Sequence, residues 1–322
     1  MGFEKEPEMK TDSEKEINEV RESKKNPSDR VLFWIPSILF FAGTLALFFG
    51  IFKYRPEIIF PAVEKEKTQL LFLGDSNIDY SFGGTEIPEM VMKEYDSVAY
   101  NCAIGGTCAA NSRKPYKRTN YYSMFSLYNL SKMIETGDFS VMTRNREFLD
   151  SASSNIKDKV LILEHLDYSA MDYVVLHYGM NDYFTGFPLE SDERFDEYTY
   201  KGALRCGIER MHKACPDAKI ILSSITYCRY QEVSSEGIEV GEPISGLSFD
   251  FGQGTIDAYR DAMKEVSEEY PYTFFLDNLE GMQLGDSNYA EEGLFQDHMH
   301  LGEKGRAIYT EGFLKLIREI ER

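Results

Sequence analysis

Apolar residues gather along the chain in runs of two kinds. One run stands alone: residues 31–52, "VLFWIPSILFFAGTLALFFGIF", are 22 positions without a charge. At about 1.5 Å of rise per residue, a helix of that length spans roughly 33 Å, against about 30 Å for the hydrocarbon core of a bilayer. A core helix of a soluble domain keeps a polar face, which this run lacks. It is longer than the core of a signal peptide, and about thirty mostly polar residues precede it. Residues 31–53 therefore read as a permanent transmembrane anchor.

The other runs are short and recur. "TQLLFLG" (68–74), "SVAYNCA" (97–103), "SAMDYVVLHYG" (169–179), "AKIILSSI" (218–225) and "YTFFLDN" (272–278) read as strands. Segments with apolar residues at helical spacing fall between and after them: 88–95, 200–215 with Pro216 as a stop, 255–270 and 303–321. Apolar strands that alternate with helices predict an α/β domain over 55–322, a parallel sheet covered by helices on both faces. Ligands of such sheets sit at the carboxyl ends of the strands. Residues 107–150 break the rhythm. Long, irregular and aromatic-rich, they read as an insertion.

Charge adds two points. Residues 1–30 hold seven Lys/Arg and nine Asp/Glu and little apolar material, the composition of a disordered tail. The rest of the chain carries 28 basic and 45 acidic residues, a net −17 that suits neither nucleic acid nor an anionic membrane surface. Basic residues flank the apolar run evenly, Arg21, Lys24, Lys25 and Arg30 before it and Lys53, Arg55, Lys65 and Lys67 after it. The positive-inside rule is thus silent, and the short tail favours a cytoplasmic N-terminus with the large domain outside. Five cysteines, with no CxxC pair and no zinc-like spacing, argue against a disulfide framework.

Four short blocks carry candidate chemistry, and each follows a predicted element boundary. Gly74-Asp75-Ser76 ends the first strand and would hold Ser76 at its carboxyl end. A serine becomes a nucleophile only with a base in reach and a group that orients the base. "FQDHMHLGEKG" (295–305) offers Asp297 and His300, three apart before the last helix, with His298 as a competing imidazole. "NCAIGG" (101–106) and "YGMND" (178–182) follow the second and third strands. Backbone N–H groups at the paired glycines and the amide of Asn181 are the donors that an acyl-transfer oxyanion needs. Each block alone reads as turn chemistry; their conjunction and order supply every role.

In these blocks the chain resembles the SGNH hydrolases, the GDSL-like esterase and lipase superfamily. Gly74-Asp75-Ser76 resembles the nucleophile block, Asn101 to Gly106 the second, Gly179-x-Asn181-Asp182 the third and Asp297-x-x-His300 the last. The resemblance implies Ser76 as nucleophile, His300 as base and Asp297 as its orienter. It implies an oxyanion hole from the Ser76 and Gly106 N–H groups and the Asn181 side chain, with Asp75 tying the nucleophile loop to nearby backbone. It also implies a flavodoxin-like three-layer α/β/α sandwich with five parallel strands, and no metal or cofactor. Two positions depart from the common pattern: Asn77 stands where the signature has Leu, and Ala103 where many members have Gly. His177, within an apolar strand, reads as a satisfied structural histidine.

The insertion carries "RKPYKR" (113–118) and "YYSMFSLY" (121–128), cations beside aromatics that suit sugar stacking or an anionic glycan. The expectation is a membrane-anchored serine esterase acting on an O-acylated, chiefly acetylated, carbohydrate or another small ester. An O-acyltransferase using the same serine, and a non-catalytic carbohydrate-binding or assembly factor, are the alternatives.

Overall fold

The computed structural model describes residues 66–79, 84–113, 121–145, 154–234, 236–237 and 239–322. All lie in the second of two compact units, Phe60–Arg322. The expected tail (1–30) and anchor (31–53) lie outside the described residues. Among the described residues, no helix is long and apolar enough to cross a membrane.

The five expected strands form one parallel sheet. They are β1 (Thr68–Gly74), β2 (Ser97–Asn101), β3 (Tyr173–His177), β4 (Lys219–Ser223) and, after a hairpin, β7 (Thr273–Leu276), in the order β2-β1-β3-β4-β7. Every residue of β1 from Gln69 to Gly74 and every residue of β3 is buried. A strand can be apolar on consecutive positions only if both faces of its sheet are covered, which is why these runs lack alternation. Burying each Leu or Phe side chain here contributes about 1.5–3 kcal/mol.

Helices α1 (Ser76–Asp79) and α2 (Ile87–Glu94) precede β2, and α3 (Leu127–Thr136), α4 (Ser140–Arg144) and α5 (Ser154–His165) precede β3. Then come α6 (Met180–Thr185), α7 (Tyr200–Ala214), α8 (Ile256–Ser267), α9 (Asn278–Gly281) and α10 (Glu303–Ile320). Phe313 of α10 meets Phe72 of β1 with ring centroids 5.5 Å apart, and Tyr200 of α7 meets Tyr259 of α8 at 5.3 Å.

Three features depart from the expectation. Residues 97–103 are strand only to Asn101. The insertion is not irregular throughout: Tyr121–Phe125 form a 3-10 turn ahead of α3 and α4, and α5 follows it. Phe125 of the aromatic stretch is buried in the core, and Tyr128 is half-buried beneath Arg210, so neither is an open sugar platform. Finally, β5 (Arg229–Val233) and β6 (Glu239–Ser245) form an unexpected antiparallel hairpin between β4 and α8.

Chain order places the chemistry. From β1 the chain moves to β2 on one side, then crosses back to β3 on the other. The crevice at this reversal lies at the carboxyl ends of β1 and β3, where open α/β sheets take ligands.

Candidate active site

The nucleophile block begins where β1 runs out of ladder. The Asp75 N–H donates to the His177 carbonyl (3.1 Å), and the chain then winds into the single turn α1. Gly74 is required here: a Cβ at that position would lie 2.7 Å from the His177 carbonyl oxygen. The Asp75 carboxyl is wholly buried; one oxygen accepts the Asn77 N–H (3.1 Å) and the other has no partner among the described residues. Burial pushes Asp75 up to about 7 against the opposing Asn77 hydrogen bond. His177 lies beside it, its Nδ1 paired with Ser223 Oγ (3.0 Å), which also meets the Tyr309 hydroxyl (2.6 Å) and accepts from Asn278 Nδ2 (2.8 Å). Burial lowers His177 to about 4 and keeps it neutral, the structural histidine expected.

Ser76 Oγ lies 2.8 Å from His300 Nε2, although 224 residues separate them. His300 Nδ1 lies 2.6 Å from Asp297 Oδ2, and Asp297 Oδ1 accepts the N–H groups of Met299 and His300, each at 2.8 Å. Burial works against the Asp297 charge, but the hydrogen bonds from the His300 ring and these two amides outweigh it and hold Asp297 at about 2. An ionised Asp297 fixes the proton on Nδ1 and leaves the Nε2 lone pair to the serine. His298 is turned elsewhere: its Nδ1 meets the Tyr289 hydroxyl, and its Nε2 lies 3.8 Å from Glu239.

The second block folds onto Ser76. The Ile104 N–H donates to the Gly74 carbonyl (2.9 Å), and the Thr107 hydroxyl donates to the carbonyls of Ile104 (2.7 Å) and Gly74 (3.2 Å). Gly105 donates to Asp79 Oδ2 (2.6 Å), and its α-carbon abuts Ser76 closely enough that a Cβ would lie 3.4 Å from the serine Cβ. Gly106 turns with φ +78°, a region side chains rarely adopt. Neither Ser76 nor Gly106 donates its N–H to another described residue. Asn181 donates one amide hydrogen to the Thr107 carbonyl (3.0 Å), which leaves its second. The expected donors are thus tied to the strand end that carries Ser76.

Four residues of the site were given no role by the sequence reading, although Asn77 and Asp182 were named in it. Asn77 brackets His300: its Oδ1 accepts the Leu301 N–H (3.1 Å), and its Nδ2 reaches the Met299 carbonyl (3.5 Å). Asp79, one turn after Ser76, pairs with the buried Lys159 of α5, which also donates to the Ala103 carbonyl. Asp182 accepts the N–H groups of Ala109 (2.8 Å) and Ala110 (2.9 Å), and burial raises it to about 7 despite them. Of the two not named there, Asp79 and Lys159, Asp79 left a signal, a carboxylate three residues beyond Ser76. All five cysteines are free thiols. Among the described residues, no group of His, Cys, Asp and Glu is arranged to hold a metal ion.

Comparison with known proteins bears on the same residues. The model of the GDSL-like Lipase/Acylhydrolase family matches residues 143–308. No curated protein matches the chain. Among solved structures, one described as "a possible lipase" from Chitinophaga pinensis DSM 2588 is 13% identical with a TM-score of 0.50, over 79% of this chain and 98% of that one. A protein from Lactobacillus plantarum is likewise 13% identical with a TM-score of 0.50, over 79% and 97%. At such identity these two likenesses speak for the fold alone. The family match covers a little over half of the 322 residues and includes Asn181, Asp297 and His300 but stops short of Ser76. The fold supplies what the match omits, a serine 2.8 Å from the matched histidine. The chain therefore belongs to the GDSL-like lipase/acylhydrolase family and is a serine ester hydrolase.

Proposed function

We propose that this hydrolase is a membrane-anchored esterase that removes O-acyl groups, chiefly acetyl, from a carbohydrate, with Ser76, His300 and Asp297 as its triad. The observation that carries the triad is the unbroken relay from Ser76 Oγ to His300 (2.8 Å) and from His300 to Asp297 (2.6 Å). Ser76 Oγ attacks the ester carbonyl while its proton passes to His300 Nε2. Asp297 steadies the imidazolium through Nδ1–H. The carbonyl oxygen, now negative, meets the N–H groups of Ser76 and Gly106 and the second amide hydrogen of Asn181. Collapse breaks the ester C–O bond, His300 protonates the departing sugar oxygen, and the acyl group stays on Ser76. Water then attacks the acyl carbon and gives its proton to His300. The acid departs as Ser76 Oγ takes that proton back.

The anchor rests on the uncharged run 31–52, and the carbohydrate on the domain then standing at the outer surface of a membrane. The full chain in detergent, given an acetylated oligosaccharide, should release free acetate, and Ser76→Ala should not. Acetyl groups appearing on an added glycan instead of in solution would replace the esterase with a transferase. Acetate release that survives Ser76→Ala would end the assignment. For the anchor, the chain should sediment with membranes and yield its large domain to protease added outside. Recovery in the soluble fraction would overturn that part.

A further inference from the structure

We propose that a cavity beside the second block is a subsite for an anionic saccharide, a sugar unit bearing a carboxylate or phosphate in the same polymer that Ser76 deacylates. The inference builds on the esterase reading of Ser76. The cavity measures about 520 Å³ and lies among residues 111–113, the 3-10 turn, α3, α4 and Tyr198. Arg113, Lys132 and Arg144 line it, with Asp138 as the one acidic residue among the described residues of the lining. In a chain of net charge −19, three cations around one hollow are a local inversion of sign. Screening within about 8 Å at physiological salt lets these near charges outweigh the distant acidic surface.

The rest of the lining suits a hydroxyl-rich ligand rather than an apolar one. Asn129 Nδ2 donates to Asn111 Oδ1 (2.9 Å) and to the Ser123 carbonyl (2.7 Å), so the polar wall is braced before anything binds. The Arg113 guanidinium lies over the Tyr198 ring, 4.7 Å from its centroid, which holds it in place at the rim. Lys132 is exposed on α3.

The cavity is also coupled to the catalytic block. Ala109 and Ala110, pinned by Asp182, lead directly into Asn111, which is held in turn by the Glu197 carbonyl (2.7 Å). Seven residues separate Gly106 from Arg113, so their backbones lie no more than about 25 Å apart. A short oligosaccharide covers that span. A polymer seated by its anionic unit would present a neighbouring acyl ester to Ser76 and gain the effective concentration of a tethered substrate.

The test uses the full chain in detergent as the Ser76→Ala protein, titrated with three probes: a galacturonate tetrasaccharide, a glycerol phosphate oligomer and a neutral glucose tetrasaccharide. At least one anionic probe should bind about 10-fold or more tighter than the neutral one, by the sum of such surface charges. Which of the two binds separates a carboxylate from a phosphate ligand. Lys132→Gln should weaken binding about threefold, and the triple Arg113→Gln, Lys132→Gln, Arg144→Gln variant about 30-fold. With Ser76 restored, the single and triple variants should hydrolyse p-nitrophenyl acetate at the unmodified rate. Equal binding of all three probes, no binding, or binding indifferent to Lys132→Gln in a folded protein would overturn the subsite. Loss of p-nitrophenyl acetate hydrolysis from the unmodified chain would instead strike the esterase reading, so the two failures are distinguishable.

Discussion

The two ends of the relay are held in opposite ways. Ser76 stands at the end of a strand whose residues Leu70 to Leu73 are wholly inaccessible, on a turn anchored by the equally buried Asp75. His300 and Asp297 stand on a loop in which no residue from 295 to 300 is buried. The core positions the serine; hydrogen bonds position the imidazole. Those bonds include Asp297 to its two amides and ring, Gln296 N–H to the His300 carbonyl (2.9 Å), Arg229 N–H to the His298 carbonyl (2.7 Å), Gln296 Nε2 and Arg306 to the Leu301 carbonyl (2.8 and 2.6 Å), and the Asn77 side chain across the gap. Substitutions on the loop should therefore cost turnover with the fold intact, and substitutions beneath Ser76 should cost folding as well.

The largest effect expected is that of His300→Ala, a loss of about 10⁴ to 10⁶ in kcat on p-nitrophenyl acetate with almost no change in melting temperature. His298→Ala is its control, with a change of about twofold or less. Reversal of the two would assign the base to the wrong imidazole. Asn181→Ala should lower kcat about 10²–10³ by removing an oxyanion donor. A loss under tenfold would place the hole on other groups. Asn77→Leu tests the junction of the two ends. It should lower kcat about 10- to 100-fold through displacement of His300. It should also cost about 1–3 kcal/mol through the unsatisfied Leu301 N–H. Unchanged kcat at reduced stability would make Asn77 a folding residue only.

Asp75→Asn probes the buried end through pH. Burial raises the Asp75 pKa from 3.8 to about 7 in the fold, so the folded chain holds this proton more tightly than the unfolded one. Its contribution to stability is full below about pH 4 and is lost as pH rises through about 7. Asn cannot titrate, so the variant should gain on the unmodified protein between pH 5 and pH 8, while Asp182, present in both, cancels. A melting-temperature deficit that grows over that interval would contradict the burial argument.

Most of the frame was legible because doubly covered strands write themselves as uninterrupted apolar runs, as "TQLLFLG" does. The blocks were legible because acyl transfer needs particular groups in one order. The hairpin was not: residues such as Glu232, Glu239 and Glu242 face solvent, which blurs a strand's alternation. Helix α5 was missed because its buried position Lys159 is a cation, held by Asp79, and so breaks the apolar stripe. Asn77 read only as a departure from a signature, since its partner Leu301 lies 224 residues away. Pairings at that distance leave no local trace.

Ser76 as a nucleophile activated by His300 can be tested at the serine itself. Treating the full chain with a fluorophosphonate and mapping the adduct by mass spectrometry tests it directly, since an activated serine displaces fluoride and forms a stable Oγ–P bond. One phosphonylated residue is expected, Ser76, with loss of the adduct in His300→Ala. An adduct on another residue, or none on the folded chain, would contradict it.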